Sequence, residues 1–119
     1  RSGALHVTSR YDGTVRKVQP NGTSELVAHD LGVACGIAFG SDGTMFVGCY
    51  RPDRIYRIEP NGTGGVFAED PDGVVLNQPA NVAFLGTNRD RLVVSSLGGW
   101  SLVAAPAGAR GLALRYPTL

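Results

Sequence analysis

The chain has 119 residues, 43% hydrophobic and 18% charged, and its 11 Lys+Arg against 10 Asp+Glu leave a net charge of +1. That length suits one compact domain, and so even a balance gives no reason to expect nucleic acid or an acidic membrane surface as partner. No apolar run is long enough to span a bilayer, and no basic start, apolar stretch and small-residue cleavage site marks an export signal, so a cytoplasmic location is expected. The chain opens on Arg1-Ser2-Gly3 rather than Met, as an internal piece or a processed chain would.

Seventeen Gly and seven Pro predict many turns between short elements, and no stretch keeps helical periodicity over ten residues. The first strands are expected at 4–9, 14–19 and 24–28. Asp12-Gly13 and Asn21-Gly22 supply the turns between them, since both pairs tolerate the positive φ of a tight hairpin. The next group is expected at 36–39, 44–50, 54–59 and 65–68, with Ser41-Asp42-Gly43 and Pro60-Asn61-Gly62 as turns. A last group is expected at 81–84, 92–96, 101–105 and 112–115, which makes about eleven strands.

These groups repeat. Shifted by 40, Val15-Arg16-Lys17-Val18-Gln19-Pro20-Asn21-Gly22-Thr23 falls on Ile55-Tyr56-Arg57-Ile58-Glu59-Pro60-Asn61-Gly62-Thr63. Shifted by 45, Gly36-Ile37-Ala38-Phe39 falls on Asn81-Val82-Ala83-Phe84, and Met45-Phe46-Val47 then answers Leu92-Val93-Val94. A period of 40 to 47 residues built from short strands predicts an all-β chain of β-propeller blades, four strands each. The expected units are residues 1–31, 32–73 and 74–119, the first lacking its inner strand. Half a ring leaves apolar faces and strand edges in water. Closure by a second copy into six blades is the leading expectation, with three copies or a missing N-terminal half as alternatives.

The stretch Gly36-Ile37-Ala38-Phe39-Gly40-Ser41-Asp42-Gly43-Thr44-Met45-Phe46-Val47, followed by Arg54-Ile55-Tyr56-Arg57-Ile58-Glu59-Pro60-Asn61-Gly62, resembles one blade of the senescence marker protein/gluconolactonase/regucalcin family. NHL-repeat and strictosidine-synthase-like propellers share this blade style. Ser96-Leu97-Gly98-Gly99-Trp100 and Gly108-Ala109-Arg110-Gly111-Leu112 resemble the closing segment of gluconolactonase-type propellers, so the resemblance covers the C-terminal half of a six-bladed ring. It implies lactone or ester hydrolysis by a divalent metal, often Ca²⁺, which polarises the carbonyl and acidifies a bound water. One metal-binding Asp of that family would stand just before Gly36, where this chain has Cys35, and the corresponding place before Asn81 holds Ala80. A thiolate is a soft ligand and a poor substitute there. The other ligands would come from blades outside this chain, so no cofactor is expected here except by resemblance. A non-catalytic module that binds a ligand or a protein partner on its rim is the alternative.

Two kinds of loop would rim the channel at one end of the strands. Those leading into the inner strands offer His29, Asp30, Cys35, Asn77 and Asn81. Those joining second to third strands offer Arg10, Tyr11, Asp12, Tyr50, Arg51, Asp53 and Trp100. From these, Arg10, Tyr11, His29, Cys35, Tyr50, Arg51, Asn81 and Trp100 are the candidates to line a polar pocket for a small molecule. Ordinary turn and rim duty is the competing expectation. Trp100 is expected to pack over the last blade, with stacking on a ligand as the other option. Cys35 and Cys49 would face each other across their hairpin if its loop is three residues long, and a one-residue slip would separate them. Two Cys without export signals read more naturally as free thiols. A Cys35–His29 nucleophile pair is within reach along the chain. His6 reads as a wall residue. Asn21 and Asn61 fit the glycosylation pattern, yet their turns explain them.

Overall fold

Alternating short strands and Gly-containing turns form ten strands among the described residues, which run from 4 to 115 in the computed structural model. They are β1 (Leu5–Ser9), β2 (Thr14–Val18), β3 (Ser24–Ala28), β4 (Val33–Phe39), β5 (Met45–Tyr50), β6 (Arg54–Ile58), β7 (Gly64–Glu69), β8 (Pro79–Leu85), β9 (Arg91–Ser96) and β10 (Val103–Pro106). Each hairpin pairs antiparallel, giving three sheets in the orders β1-β2-β3, β4-β5-β6-β7 and β8-β9-β10.

The turns act as the local chemistry dictates. Asn21 Oδ1 accepts from the Thr23 amide and Asn61 Oδ1 from the Thr63 amide, both at 3.0 Å, so the two repeated hairpins are built alike. Asp42 Oδ1 accepts from the Thr44 amide at 3.0 Å, and that amide holds the Asp42 carboxyl below the usual carboxylate range.

The sheets stack face to face in chain order. Between the first and second lie Val15, Leu31, Ala34, Met45, Val47, Cys49 and Ile58. Between the second and third lie Ala38, Phe46, Ile55, Leu76, Val82, Leu92, Val94 and Ala107. Strand β5 runs through the middle of the stack, so residues on both its faces are buried and it reads as a continuous apolar run. His6 serves as wall, its ring 5.0 Å from that of Phe39, and burial, helped by Lys17, lowers its pKa.

The structure corrects three expectations. No strand forms at 112–115, so the third sheet has three strands and the described total is ten. The chain instead turns at Gly108 and leaves the third sheet. Gly111 donates to Arg89 O at 2.7 Å and makes a lone bridge to Gly40, and the Leu112 amide donates to Phe39 O at 2.8 Å. Among the described residues no fourth strand pairs with the outer edge of β10, as β7 does with β6 in the second sheet.

The second correction is register. Strand β4 starts at Val33 rather than residue 36, and a bulge between Ala34 and Ile37 puts Ala34, not Cys35, opposite Cys49. Both cysteines are free thiols. The third concerns Trp100, which is fully exposed rather than packed over the third sheet. Its loop is held by Asn77, whose side-chain amide donates to Gly98 O at 2.9 Å, so the indole is not needed as an anchor.

Candidate functional site

Strict antiparallel order brings the loops 10–13, 29–32, 51–53, 70–78 and 97–102 to one end of the stack. They are tied to one another in series. The Leu31 amide donates to Gly13 O at 3.1 Å, and Gly32 packs with its backbone against both Gly13 and Arg51. Asp53 links the second sheet onward, its carbonyl taking the Asp70 amide at 3.0 Å and its Oδ2 the Gln78 amide at 2.8 Å. Asn77 and Gln78 carbonyls then accept from Gly98 and Leu97 at 3.2 and 2.9 Å.

Asp30, Arg51, Asn77 and Gln78, all in this belt, have φ between 37° and 62°, in the left-handed region. Non-glycine residues stay there only where surrounding contacts over-determine them, and the hydrogen bonds above supply such contacts for Asn77 and Gln78. Asp70 closes its own loop by accepting the Val75 and Leu76 amides at 2.5 and 2.7 Å, which hold its carboxyl below the usual range, Leu76 foremost. Asp12 is held down likewise by the Ser9 and Thr14 side chains.

Among the candidates, the structure joins Arg10 to Tyr50. The Arg10 guanidinium donates to the Tyr50 hydroxyl, and its Cζ lies 5.6 Å from the centre of the Tyr50 ring. The Thr8 hydroxyl donates to Cys35 O at 2.6 Å and ties β1 to the β4 bulge. Asn81 lies at the seam where β4 and β8 meet, directly against Gly36. Arg51 stands at the head of the β5–β6 loop, exposed and with φ 54°.

Tyr11 and Trp100 are fully exposed at the same end. His29 is set apart, its Nδ1 2.6 Å from Asp30 Oδ2 and its side chain in an outer cleft with Leu31, Tyr56 and Ile58. Cys35 therefore has Thr8, not His29, as the neighbour the hydrogen bonding defines. Sequence reasoning undervalued Asp53, Asp70 and Gln78, whose roles depend on which loops meet. The available signal was the change of repeat shift from 40 to 45, which puts extra residues at Pro71–Gly73, because a lengthened loop needs an internal tie.

Burial, and secondarily the Cys35 sulfur, pushes the Cys49 thiol up to about 12 from 9.0. At neutral pH one thiol per folded chain, half-buried Cys35, should react with a maleimide, and Cys49 should react only after unfolding. Two reactive thiols in the folded chain would contradict the β5 packing. The unfolded chain loses the Cys49 proton above pH 9 while the folded chain keeps it towards 12. Stability should therefore fall with rising pH through that window, by up to about 1.4 kcal/mol per unit. Urea midpoints for the wild type and Cys49→Ala check this, the variant losing the slope.

Among the described residues, no three of His, Cys, Asp and Glu come together in a group able to hold a metal. At the one position where the resemblance expects a metal-binding Asp stands Cys35, whose thiolate is a soft donor and does not fit a hard divalent cation, which takes oxygen ligands. No protein-family model matches the chain, and a search of curated proteins returns no match.

Proposed function

We propose that the three sheets are consecutive blades of a propeller resembling the gluconolactonase type, and that this chain binds a small hydroxy acid or lactone at its loop end. The repeat of 40 to 47 residues and the stacking of antiparallel sheets in chain order support the architecture. The observation that carries the binding reading is the Arg10–Tyr50 pair. The tyrosine ring and hydroxyl fix the guanidinium, whose five donors match a carboxylate or lactone oxygen in fork geometry. Around it, hydrogen bonds between loops hold the end rigid before any ligand arrives, which lowers the ordering cost of binding. Metal-assisted hydrolysis is not assigned to this chain alone, because Cys35 offers a soft thiolate where the resemblance expects an Asp.

Calorimetry with gluconate tests this. Arg10→Met should weaken binding about ten- to hundredfold, the loss expected for one charge-assisted hydrogen bond. EDTA should leave the wild-type heat unchanged. Absence of gluconate binding, or equal binding by Arg10→Met, would refute the reading. Lactone hydrolysis that switches on with Ca²⁺ would favour the hydrolase instead. A second reading, docking of a protein partner, is favoured by Tyr11 and Trp100, exposed aromatic side chains of the kind that anchor interfaces. Under it gluconate gives no heat and Tyr11→Ala or Trp100→Ala removes the interaction.

A further inference from the structure

We propose that the cleft between the first and second sheets, at the end of the stack opposite the loops described above, binds a free aromatic α-amino acid. The cleft holds a cavity of about 670 Å³, within the roughly 300–1,000 Å³ of small-molecule sites. His6, Lys17, Glu25, Val27, Phe39 and Met45 are on its wall. The inference is independent of what binds at the loop end.

The repeat shows which groups this cleft lacks. The first two sheets share one register, His6↔Lys17↔Glu25 corresponding to Phe46↔Arg57↔Gly65. Both outer strands skip one residue at the equivalent bulge, Val27 in the first sheet and Phe67 in the second. Between the second and third sheets, Phe67 meets Phe46 edge-on at 5.1 Å, and the Arg57 guanidinium carbon lies 5.8 Å from the Phe46 ring centre. Arg57 Nε donates to Glu59 Oε1 at 2.7 Å, so ring, cation and carboxylate meet there. Between the first and second sheets, His6 stands for Phe46, its ring 5.0 Å from that of Phe39, and Lys17 stands for Arg57. The ring of Phe67 is replaced by the smaller Val27, and the carboxylate of Glu59 by the neutral amide of Gln19. These positions are internal to both repeats, so the side chains themselves set the space they leave.

A ligand with an aromatic ring and a carboxylate supplies both missing groups, the ring beside His6 and Phe39 and the carboxylate at Lys17. Among the described residues Lys17 has no ion pair, although Glu25 stands directly opposite it on β3. Glu25 would repel a simple acid, whereas an α-amino acid carries an ammonium on the same carbon as its carboxylate and answers both charges. Lys17 and Glu25, cross-strand neighbours with Cβ atoms about 4.5–5.5 Å apart, match the spacing of such a zwitterion. Glu59, the other carboxylate on the wall, is already engaged by Arg57 and by the Thr44 hydroxyl at 3.3 Å.

Calorimetry with L-phenylalanine tests this. Phenylpropionate, which lacks the ammonium, and phenethylamine, which lacks the carboxylate, should each bind at least about tenfold more weakly, the loss of one charged hydrogen bond. Lys17→Met should weaken phenylalanine binding by the same factor. Val27→Phe restores the ring that the second repeat carries and should abolish binding with no fall in the urea midpoint. Gln19→Glu restores the carboxylate and should weaken binding about tenfold by occupying Lys17. Both variants copy residues that the same fold accommodates at Phe67 and Glu59, so unchanged circular dichroism separates loss of binding from loss of structure. No heat with phenylalanine, equal binding of either truncated analogue, or wild-type binding by Lys17→Met, Val27→Phe or Gln19→Glu would each overturn the proposal.

Discussion

Phe46→Ala should be the most damaging side-chain truncation in the chain, lowering the unfolding free energy by about 3–5 kcal/mol. The ring has no exposed surface and meets two others edge-on, Phe67 at 5.1 Å and Phe84 at 5.6 Å between centroids. The Arg57 guanidinium carbon lies 5.8 Å from the ring centre. Phe84 belongs to β8 and Phe67 to β7, so one side chain joins the second sheet to the third and to its own outer strand. Edge-to-face pairs each add about 0.5–1.5 kcal/mol beyond the area buried. Whole domains are stable by only about 5–15 kcal/mol, so the variant should sit close to its midpoint at low urea. Tyr11→Ala and Trp100→Ala, equally drastic on paper, should stay within about 0.5 kcal/mol because those rings are fully exposed. A loss below about 1 kcal/mol for Phe46→Ala, at the low end for any core truncation, would mean the second and third sheets are not held through this ring.

The second large effect is expected at Gly36, where adding one methyl group should cost about 3 kcal/mol, the upper part of the overpacking range. A Cβ there would lie 2.7 Å from Asn81 Cα and 3.0 Å from Ala80 O, and closer still to Asn81 Oδ1. Backbone cannot rotate away as a side chain can, so β4 and β8 would have to part. The companion Asn81→Ala separates backbone from side-chain contact, since it removes Oδ1 but leaves Cα in place. Gly36→Ala should therefore remain destabilising in the Asn81→Ala background. Gly65→Ala should be nearly neutral, because nothing lies within 4 Å of its added methyl. Full rescue by Asn81→Ala would show that the seam between β4 and β8 is looser than the structure places it.

Strand positions were legible wherever the signal is local. Ser24–Ala28 coincides with its expected range, and β1, β2, β6 and β7 differ from theirs by one residue at one or both ends. Period-two alternation and Asn-Gly or Asp-Gly turns act over a few residues and need no partner to be read. Arg10 and Tyr50 lie at the strand ends where counting strands put them, whereas Cys35, expected in the loop before its strand, lies inside β4.

The amino-acid order alone therefore determined the all-β character, the turns and the end of the strands at which the candidate residues lie, because each depends on neighbours in the chain. Tertiary structure decided the rest. The β4 bulge sets Ala34 rather than Cys35 opposite Cys49, and Thr8 of the first sheet holds the bulge through Cys35 O. The segment after Gly108 leaves the third sheet because Arg89, Gly40 and Phe39 offer it hydrogen bonds elsewhere. His29 turns to Asp30, and Asp53 to Gln78, through contacts set by how loops from different sheets meet. Such choices are made by competition among distant partners for the same backbone groups, since a buried amide or carbonyl must find some partner, and a local pattern does not encode which distant group wins.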